Sequence, residues 1–139
     1  IGKQIFWECW HIKTVWLDEN CTVNPQRNMK NHILILNRQK RLGNQSLWDL
    51  RRLRDVTIPD GVGRIPAQLF KYSCLESVAI PASVTELGKE AFYECRKLRR
   101  VTFAKGSKLK KIKEACFMGT QIEEITIPNT VVMLEDYVF

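Results

Sequence analysis

The sequence is dominated by an internal repeat of about 23 residues, and such a repeat restricts the fold more than any other feature of a chain. Four successive stretches carry the pattern Leu-x-x-Val-x-Ile-Pro or a close variant, and each ends with a phenylalanine. The recurring positions are Leu53, Leu75, Leu98 and Ile122; Val56, Val78, Val101 and Ile125; Ile58, Ile80, Phe103 and Ile127; and Phe70, Phe92, Phe117 and Phe139. A unit this short cannot bury its own apolar face, so the repeat predicts a stack of units that stabilise one another.

The repeat continues into the N-terminal part of the chain. Residues 1–17 match residues 87–103, and residues 41–58 match the same template. We expect strands at Val15, Ile33, Val56, Val78, Val101 and Ile125. The predicted units of this single array are residues 1–11 (partial), 12–29, 30–52, 53–74, 75–97, 98–121 and 122–139 (partial). The second unit is shortened, and the partial units favour an excerpt from a longer array.

Each unit combines two apolar patterns. The Val-x-Ile alternation, as in Val78 and Ile80, sends two side chains inward and predicts six short parallel strands in one sheet. The segment with Leu87, Ala91 and Cys95 has apolar residues at helical spacing and predicts a short helical or 3₁₀ crossover. The phenylalanines should stack into an internal aromatic ladder. The predicted fold class is therefore an α/β repeat, a solenoid with one parallel sheet and short helical crossovers.

The repeat resembles the BspA-type leucine-rich repeats, whose pattern is close to LxxVxIPxSVxxIGxxAFxxCxxL. Residues 75–98 match this pattern nearly throughout, whereas residues 18–41 match it poorly. The resemblance implies a curved, right-handed leucine-rich-repeat solenoid. It also implies a bacterial or protist surface protein, at the cell surface or secreted, that adheres to host cells, matrix proteins or other microbes.

Metal, redox and catalytic chemistry find little support in the sequence. The five cysteines are Cys9, Cys21, Cys74, Cys95 and Cys116. Their odd number, and the absence of any Cys-x-x-Cys, favour small buried core residues, although one disulfide between Cys74 and Cys95 stays possible. Neither His11 nor His32 has a nucleophile at a known spacing, and no phosphate-binding loop is present. We therefore expect no enzyme, no metal and no cofactor.

Candidate ligand-binding residues come from the strands and from basic clusters. They are Trp16, His32, Leu34, Arg100, Lys108, Lys110 and Lys111. A large exposed apolar residue can anchor a partner. The net charge of +7 favours an acidic protein or a sulfated glycan. Two other interpretations stay open: Trp16 packs against the shortened unit, and the basic residues form a solvated face. Nucleic acid is a weaker partner, since no recognised binding motif accompanies the charge.

The sequence leaves two functional hypotheses. The first is an adhesion module that binds a protein or glycan, and the second is an intracellular leucine-rich-repeat scaffold that docks a partner protein in the cytoplasm. A signal peptide or membrane anchor in a longer chain would favour the first hypothesis, and a fused signalling domain the second. The apolar runs in these residues are too short to cross a membrane.

Overall fold

A computed structural model describes residues 54–139 and, before them, the backbone of two strands, Thr14–Leu17 (β1) and Ile33–Leu36 (β2). The other described strands are β3 (Asp55–Thr57), β4 (Arg64–Ile65), β5 (Ser77–Ile80), β6 (Glu86–Leu87), β7 (Arg100–Phe103), β8 (Lys111–Ile112) and β9 (Met133–Leu134). The predicted units 1–11, 12–29 and 30–52 lie largely outside the described residues, and the division into units stays a prediction.

The Val-x-Ile strands stack in parallel, as the sequence predicts. The first sheet has the order β1-β2-β3, and a second sheet pairs β5 with β7. In the second sheet Val78 is in register with Val101. The two sheets adjoin, because the amide of Glu76 donates to the carbonyl of Arg54 at 3.1 Å. Along these strands buried and exposed residues alternate, with Val78 and Ile80 inside.

The prediction of a single sheet is wrong, since a further parallel sheet runs along another side of the stack in the order β4-β6-β8-β9. Each of its strands is two residues long and places one apolar residue inside. Ile65, Leu87 and Ile112 are fully buried there and lie in register. Two residues are too few to show a period in the sequence, which is why this sheet was not predicted.

The crossovers differ from the prediction as well, because residues 54–139 contain no helix. Instead, alternate backbone amides donate to the neighbouring unit. Phe70 donates to Ala91 and Phe92 to Cys116, both at 2.9 Å. We call this set of bonds the turn ladder. An array without helices in its described part departs from the α/β class.

Left-handed residues explain why no helix forms in the turn ladder. Two positions before each phenylalanine φ is positive. These residues are Gln68 (56°), Glu90 (53°), Ala115 (52°) and Tyr137 (55°). Tyr72, Glu94 and Gly119, two positions after a phenylalanine, are also left-handed. A left-handed residue interrupts the helical hydrogen-bond pattern and turns the adjacent amide toward the next unit, at about 1–2 kcal/mol for a residue with a side chain.

The core of the described stack is an aromatic ladder, as predicted. Phe70 and Phe92 have ring centroids 5.3 Å apart, Phe92 and Phe117 also 5.3 Å, and Phe117 and Phe139 5.8 Å. The first three rings are essentially inaccessible to solvent. Interplanar angles of 10–19° show that the rings repeat in nearly the same orientation from unit to unit.

Two strand predictions need correction. No strand forms at Ile125, which is only partly buried. In β2, the residue in register with both Val15 and Val56 is Leu34 and not Ile33. The run from Ile33 to Leu36 is apolar throughout, so its sequence contains no alternation from which a register can be predicted.

Truncating the central ring of the ladder tests the stacking. We expect Phe92→Ala to lower the free energy of unfolding by about 3–5 kcal/mol, because it leaves a cavity between two rings. Phe139→Ala is the control, since this ring is 58% exposed and stacks on one side only; its cost should be clearly smaller. Denaturant unfolding measures both, and equal losses would contradict a continuous ladder.

Gly88 provides a second test, of the approach between units. A Cβ at this residue would lie 2.5 Å from the backbone nitrogen of Ala67. Gly88→Ala should therefore destabilise the chain by about 1–3 kcal/mol through overpacking. Gly63→Ala is the matched control, because nothing lies within 4 Å of its Cβ position. If both variants melt at the same temperature, the units are less closely apposed than described.

Candidate functional site

Ion pairs between neighbouring units cover the turn ladder. Lys71 pairs with Glu90, and Lys89 pairs with Glu114 at 2.6 Å. The hydrogen bond from Lys71 holds the pKa of Glu90 below its usual value. The hydrogen bond to Glu114 raises the pKa of Lys89. The charges on this side of the array are therefore satisfied within the protein.

The same side continues to the last described unit. Lys113 pairs with Glu135 at 3.5 Å, and the Glu135 carboxylate also accepts the amide of Glu114 at 3.0 Å. That backbone hydrogen bond is the main cause of the lowered pKa of Glu135. Lys113 thus acts between units, in contrast to the other lysines of its cluster.

The four basic residues predicted to bind ligand lie elsewhere. Arg100 is on β7, Lys111 is on β8, and Lys108 and Lys110 lie on the chain between these strands. All four are exposed, and within residues 54–139 none of them forms an ion pair. Because β7 and β8 belong to different sheets, the structure groups Lys108, Lys110 and Lys111 and separates them from Arg100.

The three candidates near the N-terminus are placed only in part. Trp16 and Leu34 belong to β1 and β2, and His32 lies outside the described residues. The expected row of Trp16 and Leu34 does not form, since Trp16 is in register with Ile35.

An open groove that the sequence analysis missed lies between β7 and residues 124–130. Its volume is about 560 Å³, and β7 residues such as Thr102 form one wall while Glu124, Ile125 and Thr126 form part of the other. Its cause is visible in the sequence. Eight positions separate Val101 from the next buried apolar residue, Leu109, whereas six separate the corresponding residues of the unit before. The two additional residues enlarge the third-unit corner, residues 104–108, which borders the groove.

A buried hydroxyl without a hydrogen bond marks the end of the groove. In the unit before, Ser83 links two units, because its hydroxyl accepts the amide of Gly61 at 3.0 Å and donates to the carbonyl of Val62 at 2.9 Å. Thr130 occupies the corresponding position. Its Oγ1 is buried and has no hydrogen-bond partner among the described residues. The enlarged corner has removed the groups that this hydroxyl would otherwise contact.

The described cysteines are core residues. Cys74, Cys95 and Cys116 are free thiols, and the last two are fully buried. The Cys95 thiol lies 3.2 Å from the Ser73 hydroxyl and donates to the carbonyl of Phe70 at 3.1 Å. Cys9 and Cys21 lie outside the described residues. In the part of the chain that is described, no three His, Cys, Asp or Glu side chains could hold a metal ion together.

Comparison with known proteins agrees with this geometry. The model of the "BspA type Leucine rich repeat region" matches residues 24–139 with six copies of the repeat. The chain belongs to the BspA-type leucine-rich-repeat family. Repeats of this family typically form non-enzymatic interaction modules. No curated protein matches the chain in sequence.

Two solved structures resemble this member of the family. One is the pneumococcal vaccine antigen PcpA, with a TM-score of 0.73 and 22% identity over 91% of this chain and 31% of that one. The other is a leucine-rich cell surface protein from Faecalibacterium prausnitzii, with a TM-score of 0.66 and 26% identity over 99% of this chain and 32% of that one. The chain therefore spans about a third of the length of either protein. Both support a solenoid of parallel strands, while its right-handed winding stays a prediction.

The search for membrane-spanning helices returned none among the described residues.

Burial of the thiols leads to a testable difference in reactivity. Burial raises the pKa of Cys95 to about 12 and that of Cys116 higher still. In the folded chain both should stay protonated and unmodified by iodoacetamide at about pH 9, whereas half-buried Cys74 reacts. The unfolded chain releases these protons at lower pH, so stability should fall as the pH rises above about 8.5. Mass spectrometry of labelled peptides measures the reactivity, and rapid native labelling of Cys95 would contradict its burial.

Proposed function

We propose that this chain is an interaction module of a BspA-like surface protein, and that it binds a protein or an acidic glycan through exposed positions of the solenoid. Family membership supports an interaction module. The cell surface location is supported by the F. prausnitzii relative, which is described as a leucine-rich cell surface protein and is 26% identical. Adhesion is the biological role that we assign to this binding.

The distribution of ion pairs supports this proposal most directly. Lys71, Lys89 and Lys113 each neutralise a glutamate of the neighbouring unit. The group formed by Lys108, Lys110 and Lys111 is exposed and forms no ion pair within residues 54–139. We name this group the basic edge. It contributes to the net charge of +7 without stabilising the stack.

An acidic ligand would contact several residues of the basic edge together. An exposed ion pair contributes only about 0.2–1 kcal/mol, so useful affinity requires several contacts. A sulfated glycan or an acidic protein surface presents negative charges in series. Such binding weakens as salt is added, because the charges are exposed and screened beyond about 8 Å at physiological ionic strength.

Charge reversal on the basic edge tests the proposal. With heparin as a sulfated-glycan probe and polyglutamate as an acidic-polypeptide probe, we expect Lys110→Glu/Lys111→Glu to weaken binding at least about tenfold. Arg100→Glu/Lys110→Glu should also weaken binding, with the Lys110 change contributing more. Isothermal titration calorimetry at several salt concentrations measures the affinities.

The matched control is Lys89→Glu/Arg96→Glu, which changes the net charge equally but alters residues paired with Glu114 and Glu94. This control should bind nearly as well as the original chain. Equal weakening by both double variants would mean that only total charge matters, and affinity independent of salt would refute the basic edge as a binding site.

A further inference from the structure

We propose that the groove between β7 and residues 124–130 binds an extended peptide segment of a partner protein, which adds as a strand to the free edge of β7. This inference rests on the proposed protein-binding function and assigns to it a site and a class of ligand. The site is separate from the basic edge, whose Lys110 and Lys111 do not line the groove.

The backbone of β7 provides the first argument. β7 is the last strand of its sheet and pairs only with β5. The next unit is attached at both ends of the groove, where Gln121 donates to Leu98 at 2.9 Å and Val132 donates to Lys110 at 3.0 Å. Between these two bonds, residues 122–130 make no backbone hydrogen bond with β7 in the described structure. The free edge therefore presents a series of backbone donors and acceptors, which another extended backbone can satisfy.

The segment opposite β7 does not fill the space itself. Its sequence fits the strand pattern of the repeat, but the enlarged third-unit corner borders the groove and lies between the two units. Pro128 adds to the effect. The corresponding residue Ala104 donates its amide to Ile80 at 3.0 Å, and a proline has no amide hydrogen to donate in this way.

The walls of the groove suit a peptide with alternating side chains. Val101, Phe103 and Ile125 provide apolar surface, and Thr102 and Thr126 provide hydroxyl groups. A volume of about 560 Å³ lies within the range of ligand pockets, about 300–1,000 Å³. A strand bound to β7 would place alternate side chains inward and outward, as in other cases of strand addition.

The buried hydroxyl of Thr130 is a second, independent observation. It lines the groove and has no hydrogen-bond partner among the described residues. A buried polar group without a partner is costly, and a polar group of the ligand would satisfy it.

Charge favours an acidic peptide. Lys105 and Lys108 are exposed on the third-unit corner, and Arg100 is exposed on β7. The carboxylate on the opposite wall is Glu124. The excess of positive charge lies toward the corner, so an acidic side chain of the ligand should lie at that end.

Removal of the two additional residues tests the proposal. Deletion of Lys105 and Gly106 restores the spacing of the neighbouring units and should let residues 122–127 pair with β7, which closes the groove. Random dodecapeptides displayed on phage would be selected against the intact chain, and the enriched peptides synthesised for fluorescence anisotropy. We expect extended, acidic peptides that bind the deletion variant at least about tenfold more weakly. Lys105→Ser, which keeps the corner at full length, should retain most of the affinity.

Two further variants keep the test decisive. Thr130→Val removes the hydroxyl at nearly constant volume and should weaken peptide binding several-fold, without a change in melting temperature. If the deletion variant fails to fold by circular dichroism, Thr126→Trp fills the groove from an exposed position and should abolish peptide binding instead. Hydrogen exchange should show added protection of β7 amides when peptide is bound.

The outcomes separate this inference from the proposed function. Peptides that are enriched but bind the groove-closed variant equally well, or a selection that enriches none, would overturn the groove as a strand-binding site. If heparin binding persists in that case, the basic edge and the interaction function survive. Loss of heparin binding in the deletion variant, with full binding by Lys105→Ser, would assign the groove to a glycan and also overturn the inference.

Discussion

Hydrogen bonding between neighbouring units is the constraint on which the rest of this array depends. In the turn ladder, every second amide bonds to the next unit and not to its own, and this requires left-handed residues with side chains at fixed positions. Each such residue costs about 1–2 kcal/mol. Stacked phenylalanines and buried aliphatic side chains offset this cost only when a neighbour is present. No unit can therefore fold alone, and sequence change at core positions is restricted in every unit together.

This dependence divides the surface by role. On the side of the turn ladder, lysines and glutamates of successive units neutralise one another, as Lys89 and Glu114 do, and the Lys71 ammonium also lies 4.5 Å from the centre of the Tyr93 ring. A ligand there would have to compete with existing partners. The basic edge and the groove have no such internal partners within the described residues. Binding at these places therefore leaves the interactions that hold the stack together intact.

The sequence predicted what its period determines. The strands around Val78 and Val101 and the stacking of Phe92 with its neighbours follow from apolar residues that recur at fixed intervals. The crossovers were mistaken for helices because the spacing of Leu87, Ala91 and Cys95 fits a helical face, while positive φ at Glu90 leaves no signature in a residue that can adopt either conformation. The groove depends on two additional residues that are visible in the sequence, but their effect on the neighbouring unit is a matter of three-dimensional contact.

The uneven spacing of backbone hydrogen bonds along the stack has a mechanical consequence. A surface protein pulled along its stacking axis transmits the same force through every layer, so the layer with the fewest bonds separates first. Between β5 and β7 the strands pair over four residues, whereas the following layer has lost this pairing beside the third-unit corner. Shear and stretching would therefore concentrate their strain at one known junction, and a strand bound there would act as a splint that raises the force needed to part it.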